Sequence, residues 1–155
     1  MWKGELLGIF LAPTKGGPLS PAAEARAVVG RGLQGDRYFD KQGTFSAKPG
    51  VGREVTLLEV EALEAARRDY GLELAPEETR RNLLTRGVPL NHLFGRTFRV
   101  GEAILRGVKL CEPCDHLEGL TRPGVKKALV HRGGLRTEVV RDGLIRVGDV
   151  IEEAR

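Results

Sequence analysis

The sequence predicts a mainly β fold: a barrel formed by a curled, mostly antiparallel sheet with a few short peripheral helices, residues 1–155 making one domain. Three observations lead there. Many of the 21 glycines stand singly between short apolar runs, the pattern of short strands and tight turns. Arg99-Val100-Gly101-Glu102-Ala103-Ile104 is echoed by Arg146-Val147-Gly148-Asp149-Val150-Ile151, each reading as strand, Gly-acid kink, strand. Such kinks mark bends at sheet corners, and two of them favour a barrel or a strongly curled sheet. Aromatics are only 5%, so the core must be aliphatic.

In chain order, Leu6–Leu11 is a buried strand ending at Pro13, and Lys15-Gly16-Gly17-Pro18 is a loop. Glu24–Val29 alternates polar and apolar residues, as a half-buried strand does. Gly30–Gly52 is Gly-rich and polar, hence irregular. Glu54–Leu58 is a strand running into a helix with Val60, Leu63, Ala66 and Tyr70 on one face and Gly71 as its stop. Pro76-Glu77-Glu78 opens a helical turn, and Arg81–Thr85 is a strand. Thr97–Val100 and Ala103–Leu110 are two more, separated by Gly101. Cys114–Leu120 and Val125–His131 are short helices. Leu135–Val140 and Leu144–Val147 flank Asp142-Gly143, a two-residue hairpin signal, and Val150-Ile151 ends the set.

Apolar content of 41% and charged content of 30% are those of a soluble globular domain. The net charge is +4, but no Lys/Arg block or aromatic-basic interleaving occurs, which argues against nucleic acid as a partner. A small anion held by a few Arg and Lys fits the same balance. No run is long enough to span a membrane, and Met1–Pro13 lacks the basic start and cleavage site of a signal peptide. The expectation is a cytoplasmic protein, in which paired cysteines are more often catalytic or metal-binding than structural.

Both cysteines lie in Lys109-Leu110-Cys111-Glu112-Pro113-Cys114-Asp115-His116-Leu117-Glu118. Pro113 suits the first position of a helix, which puts Cys114 in the first turn, where free N–H groups favour thiolate. Thiolate attacks electrophiles and binds soft metals. A structural zinc site would need four ligands, and Cys111, Cys114, His116 and His131 supply the number, but residues 114 and 116 of one helix point apart. A disulfide and a pair of inert buried thiols are the other readings. Gly30-Arg31-Gly32-Leu33-Gln34-Gly35 matches the spacing of a dinucleotide fingerprint, but no helix follows it; a turn presenting Asp36 and Arg37 is the better reading. Arg80 and Asn82 stand two apart at the start of a strand and would project together. Guanidinium and carboxamide can read a phosphate or a flat heterocycle; from spacing alone, simple solvation is the stronger reading. His131, before Gly133-Gly134, sits where a helix dipole favours its protonated form; a capping role fits equally. The glycine pair permits a tight turn or a close approach to a ligand.

Taken together, these segments resemble the MOSC domain, the family named after the C-terminal part of molybdenum cofactor sulfurases. Gly32-Leu33-Gln34-Gly35-Asp36-Arg37-Tyr38 is similar to its G-L-x-G-D-R motif, and Arg80-Arg81-Asn82 to its R-x-N strand. Phe98-Arg99-Val100-Gly101-Glu102-Ala103 resembles its F-x-V-G-x-A/V segment. Pro113-Cys114-Asp115-His116-Leu117 resembles its P-C-x-x-L motif, and Lys126–Arg136 a stretch of small stand-alone members. The motifs come in the family's order.

The resemblance implies a β-barrel-like fold and a molybdenum cofactor (molybdopterin) whose metal is held by the Cys114 thiolate, a soft ligand. Arg80 and Asn82 match pterin contacts; Lys15 and Arg37 are further binding candidates, and Asp36 falls in a family motif. The implied chemistry is two-electron reduction of small N-hydroxylated bases or amidoximes, with His131 or Asp36 as proton donor beside Cys114. Electrons would come from a separate protein. No pyridoxal phosphate is implied, because the sulfurases carry it in a domain that the sequence does not show. A non-catalytic carrier of cofactor or activated sulfur, sharing Cys114, is the alternative. Cys111 is outside the family's cysteine pattern. The chain is expected to act as a monomer or homodimer.

Overall fold

The computed structural model describes residues 1–14, 16–39, 53–113 and 115–154, apart from the side chains of Asp115 and His116. Seven strands close into a barrel: β1 (Lys3–Leu11), β5 (Val55–Glu59), β6 (Leu83–Arg86), β7 (Thr97–Val100), β8 (Ala103–Leu110), β9 (Leu135–Arg141) and β11 (Val150–Glu153). Their order is β11-β7-β8-β9-β5-β6-β1, and β1 pairs back onto β11 through Lys3↔Glu152, Gly4↔Ile151 and Glu5↔Val150. The sheet is therefore closed rather than merely curled. Among the described strands only β5 and β6 pair in parallel. β2 (Ser20–Ala22) adds to the end of β1, and β3 (Glu24–Val28), β4 (Gly32–Leu33) and β10 (Gly143–Arg146) form a small second sheet.

Alternation along the strands sorts the apolar residues into two layers. Val55 and Leu57 of β5, Leu83 of β6, Phe98 and Val100 of β7, and Ile151 of β11 fill the barrel. Leu58 and Leu84 point the other way, onto Ala62 and Leu63 of α1 (Val60–Tyr70), Leu117 of α2 (Asp115–Leu120), and Val125 of α3 (Val125–Ala128). Because β5 and β6 are covered on both faces, Val55–Leu58 and Leu83–Thr85 are buried without alternation. A bulge in β1 between Leu6 and Gly8 lets Leu6 and Ile9 both face the barrel while Phe10 joins the outer layer.

Most predicted elements occur within a residue or two of their expected ends. Gly71 closes α1 with φ 65°; its N–H donates to Arg67 O and the Leu72 N–H to Ala66 O. The buried face of α1 is carried by Ala62, Leu63, Ala65 and Ala66, whereas Tyr70 is half exposed. Asp142-Gly143 does not make a hairpin: β9 pairs with β5 and β8, while β10 crosses to β3. The turn changes sheets instead, and a Cβ at Gly143 would strike the backbone of Glu102. Gly30-Arg31 is the tip of the β3–β4 hairpin, with Ala27 opposite Leu33 and Val28 opposite Gly32. No nucleotide-type helix follows it among the described residues. The two echoed segments lie against one another: the Gly101 N–H donates to Val150 O, and Glu102 N–H to Leu144 O.

Where β5 enters α1, the half-buried Glu59 carboxyl is pushed up to about 6, first by burial and second by the neighbouring Glu61. Its folded value lies above its unfolded value, so its contribution favours folding at low pH and is lost as pH rises through about 6. Glu59→Gln keeps an acceptor there without the charge. In urea unfolding, the stability of this variant minus that of the native chain should grow from near zero at about pH 4.5 to about 1 kcal/mol at pH 7.5, solvent screening included. A difference independent of pH would contradict this account.

Candidate functional site

The site is built where β1, β5 and β6 meet. Asn82, just before β6, is buried, and its carboxamide is used by the backbone. Its Oδ1 accepts from the Thr56 N–H at 3.1 Å and the Thr56 hydroxyl at 3.2 Å, while its Nδ2 donates to Phe10 O at 3.1 Å. The Thr56 hydroxyl oxygen accepts the Asn82 N–H at 3.1 Å. Asn82 thus ties three strands together instead of presenting an amide to solvent.

Arg80 does not project beside Asn82, because the strand begins only at Leu83. Arg80 ends the 3-10 turn Pro76–Thr79 in the left-handed region, φ 65°, unusual for a residue with a Cβ. That kink sends its half-buried guanidinium to the carbonyl of Gly17. Arg80 is lowered in pKa first by burial and second by Arg37, with Tyr38 and Asp36 acting against them.

Asp36 and Arg37 form a buried ion pair at 3.1 Å. Asp36 Oδ1 also accepts the Ala12 N–H at 3.0 Å. This carboxylate, 1% exposed, anchors the turn onto the end of β1; as a proton donor it is badly placed, since it lies inside and already accepts hydrogen bonds. Arg37 lies over the Tyr38 ring at 4.7 Å and makes a long 3.5 Å contact with Arg80 O.

Tyr38 links this pair to a second cationic group that the sequence did not single out. Arg53 is lowered in pKa by burial first and Arg136 second; Tyr38 and Cys111 oppose the shift and Arg81 adds to it. Arg53 bridges to Thr137 of β9, and Arg136 is opposite Thr56 of β5. Arg81 Nε donates to Gly133 O at 2.8 Å. Two sets of arginines, Arg37 with Arg80 and Arg53 with Arg81 and Arg136, thus share the electrostatic influence of Tyr38 as one arginine crescent, and buried Cys111 acts on the second set. Guanidinium remains charged even when partly desolvated, and several together form an anion-binding surface. Arg81 and Arg136 lie inside the motif strings, and Arg53 directly follows the Gly-rich stretch; only their electrostatic effect on one another marks them.

Cys111 directly follows β8, its N–H donating to Gly134 O at 2.7 Å. The close approach that Gly133 and Gly134 allow is to protein backbone: added Cβ atoms would collide with Cys111 O and Leu57 O. Pro113 is outside the helix, and α2 is described from Asp115. Cys114 and Lys15 lie outside the described residues. The helix expected to reach His131 ends at Ala128 with Leu129 as its cap, so His131 lies in the turn beyond it, φ 60°, with its side chain 85% exposed and 3.8 Å from Glu112. Among the described residues no three or more metal-ligating side chains cluster. A cleft of about 370 Å³ opens beside Arg80, lined by Gly16, Pro18, Leu19, Glu77, Glu78 and Leu120.

The family model for the MOSC domain matches residues 42–152. This span contains Arg53, Arg80, Asn82, both cysteines and His131, and leaves Asp36 and Arg37 before it. Among solved structures, the YuaD protein of Bacillus subtilis is similar at TM-score 0.79 and 20% identity, covering 100% of both chains. YiiM of Geobacillus stearothermophilus superposes at TM-score 0.73 and 15% identity, over 98% of this chain and 75% of its own. YiiM of Escherichia coli does so at 0.66 and 20%, over 100% and 70%. No curated protein matches the chain. Among the described residues no helix is long and apolar enough to cross a membrane.

The two roles seen here separate by stability. Asp36→Ala should cost about 3 kcal/mol, leaving Arg37 buried without its partner. Asn82→Ala should cost about 2 kcal/mol by stranding the Thr56 N–H and Phe10 carbonyl. Arg80→Gly should cost nothing, or stabilise by up to about 1 kcal/mol, since glycine accepts the left-handed backbone. Urea unfolding of the three variants checks the ranking.

Proposed function

The chain belongs to the MOSC domain family, and on that premise we propose that it binds a molybdenum cofactor in the arginine crescent, with Cys114 as the thiolate ligand of the metal. The observation that carries this reading is the crescent itself. A pterin cofactor bears phosphate, and partly desolvated guanidinium groups are the donor chemistry that fits it. Arg80, Arg53 and Arg81 are the candidate contacts to the anion; Lys15 is a further one. Asn82 acts as a positioning residue, fixing the start of β6 from which Arg80 and Arg81 depart.

When bound, such a cofactor supplies two-electron redox chemistry, in this reading the reduction N–OH + 2e⁻ + 2H⁺ → N–H + H₂O on a small N-hydroxylated substrate. The electrons come from a separate donor protein. The chain's own part is to hold the anion, exclude bulk water from the crescent and orient the substrate. His131, exposed and near Glu112, can relay protons from solvent; Asp36 is assigned to structure. The same site would also serve a protein that carries cofactor without turning over substrate.

Protein made in a cofactor-competent host should contain about one molybdenum per chain, lost in Cys114→Ser and reduced in Arg80→Gly while the fold is retained. Molybdenum missing from the native chain, or retained in Cys114→Ser, would overturn the reading. Bound cofactor, with a reductant present but no reduction of 6-hydroxylaminopurine or of amidoximes, would move the assignment to a carrier.

A further inference from the structure

A second concave site lies at the other end of β1 from the crescent. Asn82 and Asp36 hold β1 at Phe10 and Ala12, whereas Lys3 begins the strand. A cavity of about 440 Å³ opens there, lined by Met1, Trp2, Lys3, Arg99, Glu152 and Glu153. That volume falls within the size range of small-molecule sites. Strand register brings these residues together. Ile151 and Val100 are a cross-strand pair in the barrel core, so Glu152 and Arg99, the next pair, face outward. Lys3 stands opposite Glu152 on the other side, which makes a row of Lys3, Glu152 and Arg99 across three strands. The charges at the cavity are unequally committed. Glu152 pairs with Lys3 at 3.7 Å, and Glu153 Oε1 accepts from Arg96 at 3.3 Å. The half-buried Arg99 forms no hydrogen bond or ion pair among the described residues. Trp2, the one tryptophan of the chain, packs against the barrel core and lines the same cavity.

We infer that this cavity binds a small aromatic monocarboxylate, with the carboxylate on the Arg99 guanidinium and the ring against Trp2. A guanidinium grips a carboxylate through two parallel N–H···O bonds. The indole gives an aromatic ring a flat apolar partner and a place to leave water. One uncommitted positive charge answers one negative charge. A dianion such as a phosphate monoester brings a second negative charge toward Glu152 and Glu153, which repel it. A cation finds both carboxylates already paired and Arg99 opposed to it. The site is separate from the arginine crescent and does not rest on the cofactor reading.

Because Trp2 is the one tryptophan, its emission reports on this cavity directly. The test is titration of the full chain with phenylacetate, phenylacetamide and phenyl phosphate, followed by tryptophan fluorescence and by calorimetry. Phenylacetate should change the emission saturably. Phenylacetamide, its uncharged counterpart, should bind about 10-fold more weakly or worse, about 1.4 kcal/mol, and phenyl phosphate should also bind more weakly than phenylacetate. Arg99→Gln should lower phenylacetate affinity about 10-fold, and Arg99→Lys should restore only part of it, because an ammonium lacks the fork. Arg67→Gln, an exposed charge on α1 paired with Glu73, should leave affinity unchanged. No saturable response to phenylacetate would overturn the inference. So would phenylacetamide bound within twofold of phenylacetate, phenyl phosphate bound more tightly, or Arg99→Gln within twofold of the native chain. Calorimetric binding that moves neither Trp2 emission nor the Arg99 variants would place the anion at the crescent and overturn it as well. The three ligands compared on the native chain decide the point even if Arg99→Gln does not fold, and molybdenum content bears on neither outcome.

Discussion

The Asn82 carboxamide is the interaction on which the rest of the site depends. It donates to β1 and accepts from β5, and it sits at the entry to β6. Three strands are therefore held at one point inside the protein, where each hydrogen bond faces little competition from water. Everything chemically active departs from that point: Arg80 and Arg81 precede it, and Arg136 pairs with the strand that holds Thr56. A fold that lost this junction would keep its apolar core but could not keep the guanidinium groups converged.

Convergence has an electrostatic cost that the surroundings offset. Like charges brought together disfavour one another, as the mutual effects of Arg37 on Arg80 and of Arg136 on Arg53 show. The Asp36 carboxylate and the Tyr38 ring lie among them and relieve part of this. What remains is a set of partly desolvated like charges, already gathered in the folded chain. Such pre-organisation lets a ligand bind without first gathering its contacts.

Strands and turns were legible because period-two alternation and isolated glycines are local signals, and the barrel followed from the Gly101 and Gly148 corners. The Asp142-Gly143 turn misled because turn propensity records backbone shape and not which strand lies alongside; Glu102 packing against Gly143 decides that. Asn82 and Arg80 were picked out together, but for a shared face that does not exist. The left-handed turn at Arg80 separates them, and nothing in an arginine codon position announces φ 65°. Arg53, Arg81 and Arg136 were invisible as a group, because 28 and 55 positions of chain separate them and only the sheet register brings them together. Cys111 and Cys114 stood out at once, since two thiols in a proline-bearing segment are rare in any sequence.

The pairing that closes the barrel joins residues 3–5 to residues 150–152. A chain leaving the ribosome therefore makes one edge of its first strand long before the strand that will cover it exists. For most of synthesis that edge is an open template, able to pair with a neighbouring nascent chain. Lys3 and Glu5 on β1 place a charge of each sign along it, which discourages a second identical strand less than a single sign would. Closure by β11 is thus a timing constraint as well as a structural one: the barrel can be sealed only after residues 150–152 have been made.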